Sequence, residues 1–240
     1  MRIYAHRGVS AHLPENTLAA FSKALELGID GIELDVYLSA DRVPVVIHDD
    51  TVDRTTNGTG PISDFTAREL GLLDAGGAQH VPTLDEVLAL AAGKARVNIE
   101  LKDATAVATV LDVVGAHPGL DWFASSSDWD ALVELAGLAP DGDCYPTTLG
   151  LSLEPGGPGG VREAIDFALA HGGSGISIWE GSLDGPAVED VHACGLEVWA
   201  WTVNDPGRAQ ELTDLGVDAL CTDDPELIRS ALLPSTAPGR

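Results

Sequence analysis

Short apolar runs of period two alternate along this chain with longer stretches of helical spacing. Arg2 to Ala5 predicts a first strand, which delivers His6, Arg7 and Gly8 at its carboxyl end. Thr17 to Leu27 predicts a helix, with Leu18, Phe21 and Leu25 on one face, Asn16 as its N-cap and Gly28 as the C′ residue. Two strand-like runs lie between residues 31 and 49, joined only by Leu38 to Arg42. That link is too short for a helical crossover, so the runs predict an antiparallel hairpin. In the first run Ile32, Leu34 and Val36 alternate with Glu33 and Asp35, which puts both carboxylates on one face. The return run, Val43 to Asp49, brings His48 back towards them.

Residues 53 to 60 are polar and punctuated by glycine, so they read as a loop. Thr66 to Glu69 and Thr83 to Glu86 are capping boxes, the second opening a helix from Leu84 to Ala92. Arg96 to Lys102 repeats the strand logic: Val97, Ile99 and Leu101 face one way, Asn98, Glu100 and Lys102 the other. Beyond it, strands at Asp121–Ser125, Asp143–Leu149, Gly175–Trp179, Leu196–Val203 and Asp218–Asp223 alternate with helices. Those helices are expected at Ala104–Ala116, from Asp128 to Gly137, at Val161–His171 and Ala187–Cys194, and after Asp205-Pro206 and Asp224-Pro225.

With the hairpin's return strand set aside, eight strands linked by helices predict an α/β chain of the TIM (β/α)₈ barrel class, with a short insertion after strand two. An open doubly wound sheet is the alternative, but its Gly-rich dinucleotide turn has no counterpart here. The expected organisation is one domain over residues 1–233, an insertion at about 51–80 and a flexible tail at 234–240. The Pro-Gly run 155–160 reads as a mobile lid or a tolerated loose loop.

With 240 residues and 45% hydrophobic content, the chain can bury a sizeable core. Cys144, Cys194 and Cys221 form no Cys-x-x-Cys pair and read as reduced thiols. With no signal-like start and no long apolar span, they predict a cytoplasmic protein without an integral membrane segment. The net charge of −25 argues against nucleic acid or anionic lipid as partner. An anionic substrate would need local positive charge, from a metal or from a few placed Arg and Lys.

Candidate chemistry follows from the barrel, whose sites lie at the carboxyl ends of its strands. His6, Arg7, Glu33, Asp35, His48, Glu100, Lys102, Trp199, Trp201 and Asp223 all fall on strands or just after them. Neighbouring carboxylates repel, and a hard divalent cation, Mg²⁺ or Ca²⁺, offsets that repulsion. The competing reading of Glu33 and Asp35 is a solvated edge strand with one wet face.

Several strings carry a resemblance. His6-Arg7-Gly8, Pro14-Glu15-Asn16-Thr17, Glu33-x-Asp35, Pro44 to Asp49, Asn98 to Lys102, Trp201 to Asn204 and Thr222-Asp223-x-Pro225 occur in order over residues 4–226. Together they resemble the motif set of the glycerophosphodiester phosphodiesterase family. The resemblance implies a TIM barrel that hydrolyses glycerophosphodiesters to glycerol 3-phosphate and an alcohol, with a place in lipid metabolism. It implies one divalent cation on Glu33, Asp35 and Glu100, acid–base work by His6 and His48, and phosphate binding by Arg7 and Lys102. Glu15 is a candidate for contact with metal or a substrate hydroxyl. Trp201 is a candidate pocket wall or a core residue. One departure is Ser125-Ser126-Ser127, where the family often has Ser-Ser-Phe. The alternatives are a phospholipid-cleaving lyase of sphingomyelinase D type and a non-catalytic metal-binding barrel.

Overall fold

The computed structural model describes residues 1–148 and 160–233. Its strands are β1 (Arg2–His6), β2 (Gly31–Leu38), β3 (Pro44–Val46), β4 (Arg96–Leu101), β5 (Trp122–Ser126), β6 (Cys144–Thr148), β7 (Gly175–Trp179), β8 (Glu197–Trp201) and β9 (Ala219–Thr222). Apart from β3 they run parallel, each paired with the next, and β1 pairs with both β2 and β9. The sheet therefore closes into an eight-stranded barrel with helices between its strands, as the alternation predicts. The helices are α1 (Leu18–Glu26), α2 (Ala67–Leu70), α3 (Leu84–Ala91), α4 (Val107–Gly115), α5 (Trp129–Leu138), α6 (Val161–His171), α7 (Gly185–Ala193), α8 (Pro206–Asp214) and α9 (Pro225–Leu232). Among the described residues no helix is long and apolar enough to cross a membrane. The expected lid at 155–160 and the tail at 234–240 lie outside the described residues.

The strand β2 is the longest, and two strands share one of its edges. Its lower half pairs in parallel with β1, with His6 opposite Glu33. Its upper half pairs antiparallel with β3, with Val36 opposite Val46. The Arg7 amide donates to the Glu33 carbonyl at 3.0 Å, and the Ile47 amide donates to the Asp35 carbonyl at 3.0 Å. The end of β1 and the return of the hairpin thus meet on β2. The other edge pairs with β4, with Glu33 opposite Asn98 and Asp35 opposite Glu100. Segments after β3 pack on a small apolar cluster of Val45, Ile47, Val52, Ile62, Leu70 and Val81. Both capping boxes form, at Thr66/Glu69 and Thr83/Glu86.

Inside the barrel, Tyr4, Phe123 and Trp199 pack edge to face with ring centroids 5.5–6.1 Å apart. Tyr145 tilts against Phe123 at 4.5 Å. This aromatic layer fills the lower barrel and lies beneath the polar residues at the strands' carboxyl ends. Two glycines make room for it. A Cβ on Gly31 would lie 2.2 Å from the Tyr4 ring, and one on Gly175 would lie 2.1 Å from the Tyr145 ring.

Some expectations are corrected. Asn16 is not the cap of α1: Thr17 has the extended backbone of an N-cap, and its side chain accepts from the Ala20 amide. Asn16 sits at φ +56° and turns its side chain into the barrel. The solvated-edge reading of β2 fails, since Glu33 is 2% and Asp35 0% exposed. The helix expected from Ala104 opens as a 3₁₀ turn, Ala104–Ala106, with α4 following. The strand expected to reach Val203 ends at Trp201.

If the Tyr4 ring is what excludes a side chain at residue 31, Gly31→Ala lowers unfolding free energy by about 1–3 kcal/mol in urea titration. Adding Tyr4→Leu then recovers part of that loss. Strict additivity of the two substitutions would show that the ring is not the obstacle.

Candidate active site

The upper barrel holds a cavity of about 400 Å³. One half of its lining is ionisable: His6, Arg7, Glu33, His48, Glu100 and Lys102. The other half, from β5 to β8 and the residues just after β5, is neutral and rich in hydroxyls, with Ser125, Ser127, Thr147 and Ser177 beside Trp199 and Trp201. The buried indole nitrogens of both tryptophans have no hydrogen-bond partner among the described residues.

Alternation on β2 and β4 points Glu33, Asp35 and Glu100 into the barrel together. One ligand oxygen from each lies within 4.8 Å of the others. Burial pushes the Glu33 carboxyl up to about 8, and the neighbouring Asp35 charge adds to the effect. Burial and Asp35 likewise raise Glu100 above the usual carboxylate range. Asp35 goes the other way. Burial would raise it, but Lys102, Arg7 and His48 hold it below its ordinary value. Lys102 Nζ lies 2.8 Å from Asp35 Oδ1 and 2.7 Å from Glu100 Oε1. Arg7 Nε lies 3.2 Å from Asp35 Oδ2, and Asn16 Nδ2 donates to the same oxygen at 2.8 Å.

This donor set fits a hard divalent cation, because all three groups are carboxylates. Glu33 Oε1 is buried without a hydrogen-bond partner among the described residues. Asp35 Oδ1 is likewise buried without a hydrogen-bond partner among the described residues, ion-paired to Lys102 alone, so it too has acceptor capacity left for a metal.

The two imidazoles flank this set in similar ways. His6 Nδ1 lies 2.7 Å from Asp223 Oδ1, and His48 Nδ1 lies 2.7 Å from Asp49 Oδ1. Burial would raise Asp223, but hydrogen bonds from His6, Asn204 and Ser10 and the His6 charge pull it down to about 2. An ionised carboxylate only accepts, so the proton between them sits on His6 Nδ1. Burial alone would lower the His6 pKa. The Asp223 bond and the Glu33 charge outweigh that, and it is raised. His6 Nε2 is 4.0 Å from Glu33 Oε2. Asp49 is held well below the carboxylate range, chiefly by hydrogen bonds from Arg54, against a smaller upward push from burial.

The structure thus brings His6, Arg7, Glu33, His48, Glu100, Lys102 and Trp201 to one cavity, with Asp35 buried behind them. Glu15 does not line that cavity; its carboxylate faces Arg7 at 3.0 Å and Arg54 at 2.8 Å. Four polar residues around the site are given no site role by the sequence, though Asn16 and Asn204 fall within the strings that carry the family resemblance. Asn16 stands where a cap is expected, Arg54 sits in a loop of polar residues, Ser10 follows the first strand, and Asn204 reaches Asp223 across a strand end at 2.6 Å. Among the described residues, only Arg7 and Asn16, at φ +56° each, combine a left-handed backbone with a side chain at the site.

Comparison with known proteins agrees with this geometry. A glycerophosphodiester phosphodiesterase from Caldanaerobacter subterraneus subsp. tengcongensis is 35% identical over 240 residues, covering 94% of this chain and 95% of that protein. A phosphodiesterase of Oleispira antarctica, solved in complex with the product sn-glycerol-3-phosphate, superposes with a TM-score of 0.87 at 32% identity over 96% of each chain. A glycerophosphodiester phosphodiesterase from Agrobacterium tumefaciens gives 0.79 at 34% identity, over 96% of this chain and 99% of that one. The sequence model of the Glycerophosphoryl diester phosphodiesterase family matches residues 6–227, and the chain belongs to that family of hydrolases.

Proposed function

We propose that the chain hydrolyses glycerophosphodiesters to glycerol 3-phosphate and an alcohol, with one divalent cation, Mg²⁺ or Ca²⁺, held by Glu33, Asp35 and Glu100. The observation that carries this reading is the convergent carboxylate trio, two of its members buried, beside two cations and two carboxylate-anchored imidazoles at one cavity. Family membership supports the substrate class.

A phosphodiester carries one negative charge, and its alkoxide is a poor leaving group. Turnover needs charge neutralisation, an activated nucleophile and a protonated leaving oxygen. The cation, when bound, supplies positive charge to the non-bridging oxygens. Arg7 contributes a planar fork that grips two phosphate oxygens, and Lys102 contributes a point charge. Each imidazole has Nδ1 committed to a carboxylate, which fixes the ring and leaves Nε2 for substrate. One imidazole takes the proton of the attacking hydroxyl, and the other gives a proton to the departing oxygen. The attacking hydroxyl belongs to water or to the substrate's own glycerol. Trp201 and the hydroxyl-bearing strands form the neutral wall for the substrate's uncharged part. Glu15 serves this site through Arg7 rather than by touching substrate.

A coupled assay for glycerol 3-phosphate tests the substrate class and the metal together. Across a panel of glycerophosphodiesters, product forms with Mg²⁺ or Ca²⁺, stops with chelator and returns when the cation is restored. Undiminished release under thorough chelation would remove the metal from the reading. Phosphorus NMR of the products reports the reaction type: free glycerol phosphate is expected, and a stable cyclic phosphate alone would favour a lyase.

His6→Ala and His48→Ala are each expected to cut kcat by about 10²–10⁴-fold while leaving the near-ultraviolet circular dichroism unchanged. Near-normal turnover in either variant would remove that histidine from acid–base work.

A further inference from the structure

Arg54 stands in the polar loop after β3 and commits its whole guanidinium to two carboxylates. Nε donates to Asp49 Oδ2 at 2.6 Å, and Nη2 donates to Asp49 Oδ1 at 2.9 Å. On its other side, Nη1 donates to Glu15 Oε2 at 2.8 Å, and Nη2 to Glu15 Oε1 at 2.9 Å. Both carboxylates carry the connection inward. Asp49 Oδ1 is also the partner of His48 Nδ1, at 2.7 Å, and Glu15 Oε1 accepts from Arg7 Nη1 at 3.0 Å. His48–Asp49–Arg54–Glu15–Arg7 is therefore an unbroken polar chain whose two ends, His48 and Arg7, line the cavity. Its two ends come from different strand ends, β3 and β1.

The loop that carries Arg54 is itself anchored. Val52 is fully buried, Thr56 donates its hydroxyl to the Val52 carbonyl at 2.7 Å, and the Gly60 amide donates to Asp53 Oδ2 at 2.9 Å. We propose that Arg54 is a positioning residue: its two-sided fork holds Asp49 and Glu15, and through them sets the His48 ring and the Arg7 guanidinium in one arrangement. The proposal rests on the roles given to His48 and Arg7 above. Only a planar guanidinium can meet two carboxylates bidentately from opposite sides, and a lysine ammonium cannot. The Arg54 side chain is 48% exposed, so its ion pairs add little to fold stability. Its effect belongs to geometry. With Arg54 answering most of the charge on Glu15, Arg7 stays turned to the cavity instead of being drawn into a closed pair with Glu15. With Arg54 fixing Asp49, the His48 ring keeps one orientation.

The test uses the full chain as wild type, Arg54→Ala and Arg54→Lys, with a glycerophosphodiester and the activating cation. Loss of the bridge is expected to lower kcat by about 10–100-fold in both variants, with KM and melting temperature little changed. Millimolar guanidinium ion is expected to restore part of the turnover of Arg54→Ala and none of that of Arg54→Lys. Wild-type kcat in Arg54→Ala, full turnover in Arg54→Lys, a loss confined to KM or the absence of guanidinium rescue would each overturn the proposal. Proton NMR supplies a readout independent of turnover. The His48 Nδ1–H resonance is expected to broaden or move in Arg54→Ala, while that of His6, which is bound to Asp223, stays in place. Unchanged His48 and His6 signals would sink the bridge even in an active enzyme. An inactive wild type with a displaced His48 signal would instead count against the hydrolase reading and leave the bridge standing.

Discussion

Carboxylates of Glu33, Asp35 and Glu100 share a space within 4.8 Å at the top of a closed barrel, where burial of Glu33 and Asp35 weakens screening by water. Such an arrangement is stable only if positive charge meets it. Lys102 bridges Asp35 and Glu100, and Arg7 reaches Asp35 from the other side. The opposite directions in which Asp35 and its two acidic neighbours are pushed express the same constraint: the group touching both cations holds its charge, and the others resist theirs. A divalent ion on this trio would relieve the remaining repulsion. A phosphodiester brought to it would meet the cations already arranged around it.

That arrangement depends on one strand having two partners along one edge. Because β1 ends opposite Glu33 and the antiparallel β3 ends opposite Val36, two chain segments arrive at the carboxylates from opposite directions. One leaves His6 and Arg7 there, and the other leaves His48 and Asp49. A regular βα unit after β2 would deliver no second imidazole. The short insertion is thus part of how the site is built, and its apolar cluster under Val52 and Ile62 fixes the loop that carries Arg54.

Much of this is legible in the sequence, because period-two alternation states which side chains share a face. Glu33 with Asp35, and Asn98 with Glu100 and Lys102, can be placed before any coordinates are known, and the five-residue link after β2 requires a hairpin. Contacts between segments distant in sequence are less legible. Asn16 follows Glu15 and precedes a helical run, so local pattern makes it a cap; Thr17 takes that role because the chain turns left-handed at Asn16 to reach Asp35. Arg54 looks like any arginine in a polar loop, since its partners lie 5 and 39 residues away. Glu15 shows how a strong local signal misleads in another way. It lies beside the site in sequence, but its carboxylate is taken up by two arginines instead of the cavity.

The overall charge sharpens the point about cations. A chain of net charge −25 with only 13 basic residues repels an anion at long range, yet two of those cations, Arg7 and Lys102, line the cavity, and Arg54 is joined to Arg7 through Glu15. At physiological salt, exposed charges are screened beyond about 8 Å. The acidic surface therefore matters little to a molecule already at the cavity mouth, and the local field there decides binding. In that field Arg54 is fully answered by Glu15 and Asp49, and Lys102 is shared between Asp35 and Glu100. Arg7 is divided between Asp35 and Glu15, and Glu15 is itself largely satisfied by Arg54. How far Arg7 is free to turn to the cavity thus depends on how completely each carboxylate is met by a partner other than Arg7. A remote arginine can in this way set the orientation of Arg7 without itself lining the cavity.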